Sequence, residues 1–447
     1  MPKNSPTGMG HTQAAPGGAR VATSDRRTLA SGETQHEIGT VRIEAHGQRR
    51  ATEPAVVMSI IARAVTGGSA VTRPQLVEAT SLARTTIETN LGLLIAGGVV
   101  VEGGASRQSR YGRPASLLAL SADVGVVLVA EVTPHHLRLV VADMTQAVRA
   151  TSTVDHPIGD GPDASVAVID AGLDALLASI GLDRRSARVL VVSVPGPVDV
   201  HRGVPVRPPI MPGWDEFPLA EALRSRLHCP VLVDNDVNLM ALGESRALPT
   251  DQLPLLLVKV GTGIGGGIVA ADGEVFRGAD GAAGDIGHIR AHVAEDVVCT
   301  CGNVDCVEAV ASLEAMARKL TGPDGRPGVS QESLLELLRS GDGTATRLVR
   351  DAATSIGGVV ATLVHCYNPA RVALAGRLTS VSDDLLAGVR SAVYRRALPL
   401  ATRNLTIAHS VLGADSGIVG GLVLGIEYAL GPDRIQDLVR DRLESRR

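Results

Sequence analysis

The apolar positions of this chain change their spacing along its length. From Ala55, AVVMSIIARAV carries apolar residues at helical spacing, and the TGG that follows supplies two glycines to end a helix. TRPQLVEAT is a second short helix with Thr72 placed to cap it. After a brief SLA turn, RTTIETNLGLLIAGG sets Ile87, Leu91, Leu94 and Ile95 on one face of a third helix. Two strand-like runs come next, VVVEGG and ASLLALS, with ASRQSRYGRP between them. From Asp123 onward short apolar runs such as VGVVLVAEV, LRLVVADM, ARVLVVSVPG, CPVLVDND and ARVALAG alternate with helical segments, the pattern of an α/β architecture. A second series of that kind follows the first, which predicts two lobes with a cleft between them. Residues 1–50 are rich in Gly, Ser, Thr, His and Arg, show neither period, and are expected to be a disordered basic tail.

Three helices followed by a basic hairpin, over residues 51–120, make a winged helix-turn-helix. In that geometry the third helix presents its first side chains to base edges in a major groove, which nominates Arg84, Thr85, Thr86 and Thr89. The hairpin would carry Arg107, Arg110 and Arg113 to phosphates or a minor groove. Charge agrees with this division. Residues 1–120 hold 13 Lys and Arg against 8 Asp and Glu, a net of +5, whereas the remainder is −9. A basic front end on an acidic body fits a nucleic-acid partner for the front alone.

Composition narrows the setting. A chain of 447 residues is too long for one ordinary core. Aromatic residues are only 2% of it, so the cores must be aliphatic. No apolar run is long enough to cross a membrane, and MPKNSPTGMGHTQAAPGG has no apolar stretch of the kind a signal peptide needs, so a cytoplasmic location with no membrane partner is expected. Thiols stay reduced there, and a local cysteine cluster then reads as a metal site or a reactive centre rather than a disulfide framework. Three of the five cysteines, Cys299, Cys301 and Cys306, fall in one C-x-C-x₄-C stretch. With His288 or His292 as a fourth ligand they would satisfy tetrahedral zinc with no open position, a structural site.

Two further stretches bear on ligand binding. VGTGIGGGIV, residues 260–269, places five glycines in seven positions after a buried strand; it is either an anion-cradling loop or a tight hairpin, and it lacks the Gly-Lys-Ser/Thr of a Walker A loop. VDNDVNLMALGE puts Asp234, Asn235 and Asp236 at the end of a strand, where α/β sheets bind ligands and where the same residues could cap the next helix.

Taken together, GAAGDIGHIR, CTCGNVDCVEAVAS, VGTGIGGGIV, VDNDVN, NPARVALAG and GADSGIVGGLVLG resemble the motifs of the ROK family (repressor, open reading frame, kinase) over about residues 121–430. The resemblance implies a two-lobed actin-like, sugar-kinase-like α/β domain over residues 121–447. It further implies that zinc is held by His288, Cys299, Cys301 and Cys306, and that Asn235, Asp236, Asp285, His288 and Glu308 meet sugar hydroxyls. His288 would then use one ring nitrogen for the metal and the other for the ligand.

Four departures from the family pattern matter. Where family kinases carry an Asp-x-Gly-Gly-Thr loop to approach ATP phosphates, this chain has Glu131 followed by Thr133, Pro134 and His135. ALAGRLT lacks the doubled glycine usual near the nucleotide, Asp285 replaces a Glu, and Asp305 replaces a Gly. The expectation is a sugar-responsive transcriptional repressor of carbohydrate genes and not an enzyme, binding double-stranded operator DNA as a homodimer or homotetramer and released by a sugar or sugar phosphate. The rival is an ATP-dependent sugar kinase in which Asp236 is the general base.

Overall fold

The structure is a computed structural model that describes residues 41–44, 53–105, 116–291, 293, 296–320 and 328–444. At its N-terminal end stand α1 (Pro54–Thr66), α2 (Arg73–Thr80) and α3 (Arg84–Ala96), then β1 (Val100–Ala105) and β2 (Ser116–Leu120), which pair antiparallel. Local sequence explains the breaks. Pro54 opens α1, Gly67 and Gly68 follow it, and the Thr72 hydroxyl accepts from the Gln75 amide at the start of α2. Ile87, Leu91 and Leu94 of α3 are buried with Val57, Ile60 and Ile61 of α1, as the helical spacing predicts.

The body begins with β3 (Val126–Val132), β4 (His136–Asp143), β5 (Val148–Asp155), α4 (Pro162–Ser179) and β6 (Ala187–Val194). A short pair, β7 (Val198–Asp199) and β8 (Val204–Pro205), precedes α5 (Leu219–Leu227), β9 (Val231–Asn235) and α6 (Asp236–Ala247). The first lobe is a five-stranded sheet in the order β5-β4-β3-β6-β9. In the second lobe β10 (Leu255–Val260) and β11 (Ile264–Val269) form a hairpin, followed by α7 (Val307–Ala311), α8 (Leu313–Lys319), α9 (Gln331–Arg339), α10 (Gly343–Tyr367) and β12 (Arg371–Ala375). The chain closes with α11 (Asp384–Arg396), α12 (Pro399–Thr402), β13 (Thr406–His409), α13 (Ser416–Ala429) and α14 (Pro432–Glu444). This sheet runs β11-β10-β12-β13.

The α6 and α13 helices lie between the two sheets. Their buried Leu239, Ala241, Val419 and Leu422 share one apolar cluster with Val127 and Val129 of β3 and with Leu255, Leu257 and Ala373 of the second sheet. Close approach has a sequence cause in β11: a Cβ on Gly267 would stand 2.5 Å from the Ala241 Cβ and 2.6 Å from the Val237 carbonyl oxygen, so only glycine lets α6 lie on that strand.

Two features cross the boundaries that the sequence marks out. First, α14 does not pack only on the body: Val439 comes within 3.0 Å of the position of a Cβ on Gly97, and the Arg442 Nε donates to the Gly97 carbonyl at 3.2 Å. Second, Val41–Glu44, within the stretch expected to be disordered, is packed. Val41 and Ile43 are each 3% exposed, the alternation V-R-I-E sending two apolar residues inward and two charged ones to partners. Residues 1–40 and 45–52 lie outside the described residues. Among the described residues no helix is long and apolar enough to cross a membrane.

Candidate functional site

A cluster of one histidine and three cysteines, able to hold a metal ion, is built on the segment between β11 and α7. His288 closes a short 3₁₀ turn, Ile286–His288, and Cys299, Cys301 and Cys306 line the following loop. The Cys299 Sγ is 3.6 Å from the His288 Nδ1, the Cys301 Sγ is 3.6 Å from the Cys306 Sγ, and all four ligand atoms lie within 4.8 Å of one another. Ligands at about 2.3 Å (S) and 2.0 Å (N) around a tetrahedral ion sit roughly 3.5–3.8 Å apart, so the donor set and its spacing fit one zinc-sized cation. Cys299 and Cys306 are buried and Cys301 is exposed. His292 lies outside the described residues.

Asp305 shows how this loop tolerates the loss of a glycine. Its backbone takes φ +58°, the left-handed conformation a glycine would favour, and aspartate enters that region more readily than most residues. Its buried Oδ1 accepts from the Val297 amide at 3.0 Å, while its own amide donates to the Val297 carbonyl at 2.8 Å. The carboxylate thus staples the loop that carries the thiols.

The other ring nitrogen of His288, Nε2, faces the Asp285 Oδ1 at 3.8 Å. From there the site continues to Glu308, in the first turn of α7. Its Oε2 accepts from the Ile264 amide at 2.9 Å and would be 2.4 Å from a Cβ on Gly263, so a side chain there would displace the Glu308 carboxylate from this bond. Opposite stands the N-terminus of α6. Asn235 is its N-cap, with Oδ1 accepting from the Val237 and Asn238 amides at 2.9 and 3.3 Å and Nδ2 donating to the Gly196 carbonyl at 2.8 Å. Both ends of that side chain are therefore engaged in fixing the strand-to-helix turn. Asp234, buried, accepts from the Arg277 Nε at 3.2 Å and from Asn238, tying the loop that leads to Asp285 back to β9.

Asp236 opens α6, and its carboxylate meets the Lys259 ammonium of β10 directly. The sequence reading missed Lys259; its only signal was a lone charge in the apolar run LPLLLVKV. Burial pulls its pKa down, but Asp236, Glu131 and Glu308 outweigh burial and hold it above the ordinary lysine value, so it is a cation. Glu131, at the end of β3, goes the other way: burial pushes its carboxyl above the usual range against the pull of Arg138. The Arg138 guanidinium joins Glu131 at 3.4 Å to Asp415 at 2.7 Å, before α13.

The turn from β3 to β4 is Thr133–Pro134–His135. The Thr133 amide donates to the His136 carbonyl at 3.0 Å, Pro134 has no amide hydrogen, and the amides of His135 and His136 donate to the Thr133 hydroxyl at 3.4 and 3.1 Å. Every backbone donor of this turn is spent or absent. On the far side Gly376 is followed by Arg377, whose Nη1 donates to Glu332 at 2.9 Å. The glycine run resolves in favour of a hairpin: Gly261, Thr262 and Gly263 are its turn and the remaining glycines lie in β11.

At the other end of the molecule the start of α3 is open to solvent. Arg84, Thr85 and Thr89 are exposed and Thr86 is half-buried; the Arg84 side chain is 84% exposed, with the Glu88 carboxylate 3.9 Å away. Arg73, not singled out from sequence, joins Glu88 of α3 to Glu102 of β1. Arg107, Arg110 and Arg113 lie outside the described residues.

The ROK family profile matches residues 134–427, well over half of the chain. The chain belongs to the ROK family. Two curated relatives divide its resemblances. A glucokinase of Halalkalibacterium halodurans is 32% identical over 223 residues, covering 47% of this chain and 67% of that protein. A xylose repressor of Caldicellulosiruptor bescii is 24% identical over 390 residues, covering 83% of this chain and 97% of the repressor. Among solved structures, a ROK family transcriptional regulator described as a homologue of the E. coli MLC protein superposes with a TM-score of 0.72 at 21% identity, covering 87% of this chain and 99% of that one. The kinase match covers less of the chain than the family profile does, whereas the matched fold of the regulator covers more.

Proposed function

We propose that this ROK protein is a sugar-responsive transcriptional repressor that binds double-stranded operator DNA as a homodimer or homotetramer and is released by a sugar. Paired half-sites call for a symmetric oligomer. One observation carries the reading: a three-helix unit with an open recognition face is attached to a sugar-kinase-like body whose phosphate-side turn, Thr133–Pro134–His135, has no backbone donor to give. Phosphoryl transfer rests on donors that surround the phosphates. Here the sugar side keeps its hydroxyl-binding set, Asp236, Asp285, His288 and Glu308 with Asn235 beneath them, and the nucleotide side does not keep its cradle. In this reading His288, Cys299, Cys301 and Cys306 hold structural zinc, which fixes the imidazole so that Nε2 meets the ligand.

The connection to DNA follows α6. Its first residue is Asp236, and Arg246 lies about 15 Å further along the axis. The Arg246 guanidinium is fully buried, donating to the Gly273 carbonyl at 2.7 Å and to the Glu427 Oε1 at 3.0 and 3.2 Å. Val41–Glu44 crosses this end of the helix. The Arg42 amide donates to the Arg246 carbonyl at 3.2 Å and the Glu44 amide to the Glu427 Oε1 at 3.0 Å. From α1 of the DNA-binding unit, Arg63 donates to the carbonyls of Glu427 and Glu44. A ligand that closes the cleft on Asp236 therefore pulls on a helix whose far end is bonded to the recognition unit. Coupling of roughly 1–3 kcal/mol would change operator affinity about 5- to 150-fold.

The test is a fluorescence titration of the protein on operator DNA selected from a random pool, with neutral sugars and sugar phosphates added in turn. Release by one class of sugar is expected. Arg84→Ala should cost about 1–3 kcal/mol on the selected site and flatten base preference; equal losses on selected and random DNA would remove Arg84 from base reading. The glucokinase match keeps a second reading in play, with Asp236 as general base. Turnover of ATP with any hexose at about 1 per second or faster, the low end for kinases, would establish it instead.

A further inference from the structure

Lys259 is the one charged residue of β10, a strand whose other five residues are buried and apolar. A cation set in such a strand loses much of its hydration, and the arrangement persists only if a local anion holds it. Asp236 does so by direct contact through Oδ2, with Glu131 and Glu308 close enough to add to the field. Three carboxylates from three elements, the end of β3, the start of α6 and the first turn of α7, thus converge on one ammonium. Without that ammonium they would repel one another in a half-buried place, and Asp236 would lose the contact that fixes its rotamer. Among the described residues no second donor meets the Asp236 carboxylate, so Oδ1 is the oxygen left for a ligand. Sequence neighbours cannot supply this arrangement, because Asp236 and Lys259 lie 23 positions apart and meet only where the start of α6 packs against the β10–β11 sheet.

We infer that Lys259 is a positioning residue of the sugar site: its ammonium holds one oxygen of Asp236 and thereby presents the other to a sugar hydroxyl. The inference rests on the sugar-receptor reading and assigns that site a residue from the second lobe. It also gives the cleft a preference for uncharged sugars, because the cation is already committed to Asp236 and, beside His288, the remaining facing groups, Asp285 and Glu308, are acidic. A hydrogen bond to a correctly placed carboxylate is worth about 10- to 150-fold in affinity.

The experiment is a double-mutant cycle on the full chain. A panel of neutral aldohexoses, aldopentoses and N-acetylhexosamines, with the corresponding 6- and 5-phosphates, is screened by thermal shift, and the best binder is titrated calorimetrically into wild type, Lys259→Met, Asp236→Asn and the double variant. Lys259→Met is expected to lose at least 10-fold, Lys259→Arg to stay within about 5-fold of wild type, and the double variant to match Asp236→Asn within twofold, because Lys259 acts through Asp236. A phosphate as the best binder, or Lys259→Met binding as tightly as wild type, overturns the inference and leaves the receptor reading standing. Should Lys259→Met fail to fold, Asp236→Asn against the double variant decides: equal affinities support the inference, and a further 10-fold loss overturns it. Wild type that binds no member of the panel overturns the receptor reading and this inference with it.

Discussion

The two ends of α6 carry ion pairs of the same formal kind and opposite design. At Asp236 the partner is a lysine whose side chain is 28% exposed, a single ammonium on a flexible stem facing the cleft. At Arg246 the partner is a glutamate and the cation is 0% exposed, its planar fork shared among Glu427, the Gly273 carbonyl and, at 3.8 Å, Glu44. A lysine held at a single contact leaves the second oxygen of its carboxylate partner open, whereas an arginine held at three of its nitrogens closes its surroundings. The cleft end is thus able to accept a ligand, and the junction end is built to stay closed while the helix moves as one piece. Two like-looking salt bridges on one helix can serve ligand presentation and anchoring, and burial tells them apart.

The largest effect should come from breaking the anchor. Arg246→Ala leaves the half-buried Glu427 without its cation, with only the Glu44 amide, among the described residues, still donating to its carboxylate, and strips the Gly273 carbonyl of a donor, which should destabilise the fold by about 3–5 kcal/mol in denaturant titration. A cost below roughly 1 kcal/mol would show that this end of α6 is not an anchor and would dissolve the contrast with Asp236. Next in size is the cleft. Cys301→Ser removes one thiolate of the exposed side of the cluster, and zinc content measured by atomic absorption should fall from one ion per chain to near none, with sugar-dependent release of DNA lost because His288 is no longer held. Zinc retained at wild-type stoichiometry would take Cys301 out of the ligand set. Sugar release that survived without zinc would detach the cluster from the cleft altogether.

How much of this could be read in advance depends on whether the partners are near in sequence. The helices of the recognition unit, the Thr72 cap and the buried face of α3 rest on neighbours three or four residues apart, and periodicity displays them. The C-x-C-x₄-C spacing is local too, so the thiols were visible, and the family motif chose His288. Arg246 gave no sign: it sits in the helical run LMALGESRA as an ordinary basic residue near a C-terminus, and its partner Glu427 is 181 positions away. Val41–Glu44 failed for the same reason. Four residues with a period-two pattern are too few to register in a window dominated by Gly, Ser and Thr, and their partners are supplied by α1, α6 and α13. The glycine run left two readings open for a different reason, since Gly265 and Gly267 answer to the packing of α6 on β11, a constraint that composition shares with anion loops.

The smallest expected effect offers the sharpest comparison of the two ends. Glu44 is 23% exposed and stands 3.8 Å from Arg246 and 3.7 Å from Arg42, so its charge adds to the junction without being buried in it. Glu44→Gln keeps the shape and the backbone donation of Glu44 to Glu427, and should change unfolding free energy by less than about 1 kcal/mol, the range of partly exposed pairs. If Val41–Glu44 transmits the state of α6 to α1, the same substitution should still lower the coupling between sugar and operator. That quantity is the ratio of sugar dissociation constants measured with and without saturating operator DNA, and a two- to fivefold reduction is expected while each affinity taken alone moves less. Because the coupling is reciprocal, the ratio of operator affinities with and without sugar must fall by the same factor. A coupling ratio equal to wild type, in a variant that is folded and binds both partners, would mean that the recognition unit senses the cleft by a route that bypasses this strap, and α14 against Gly97 would be the next contact to cut.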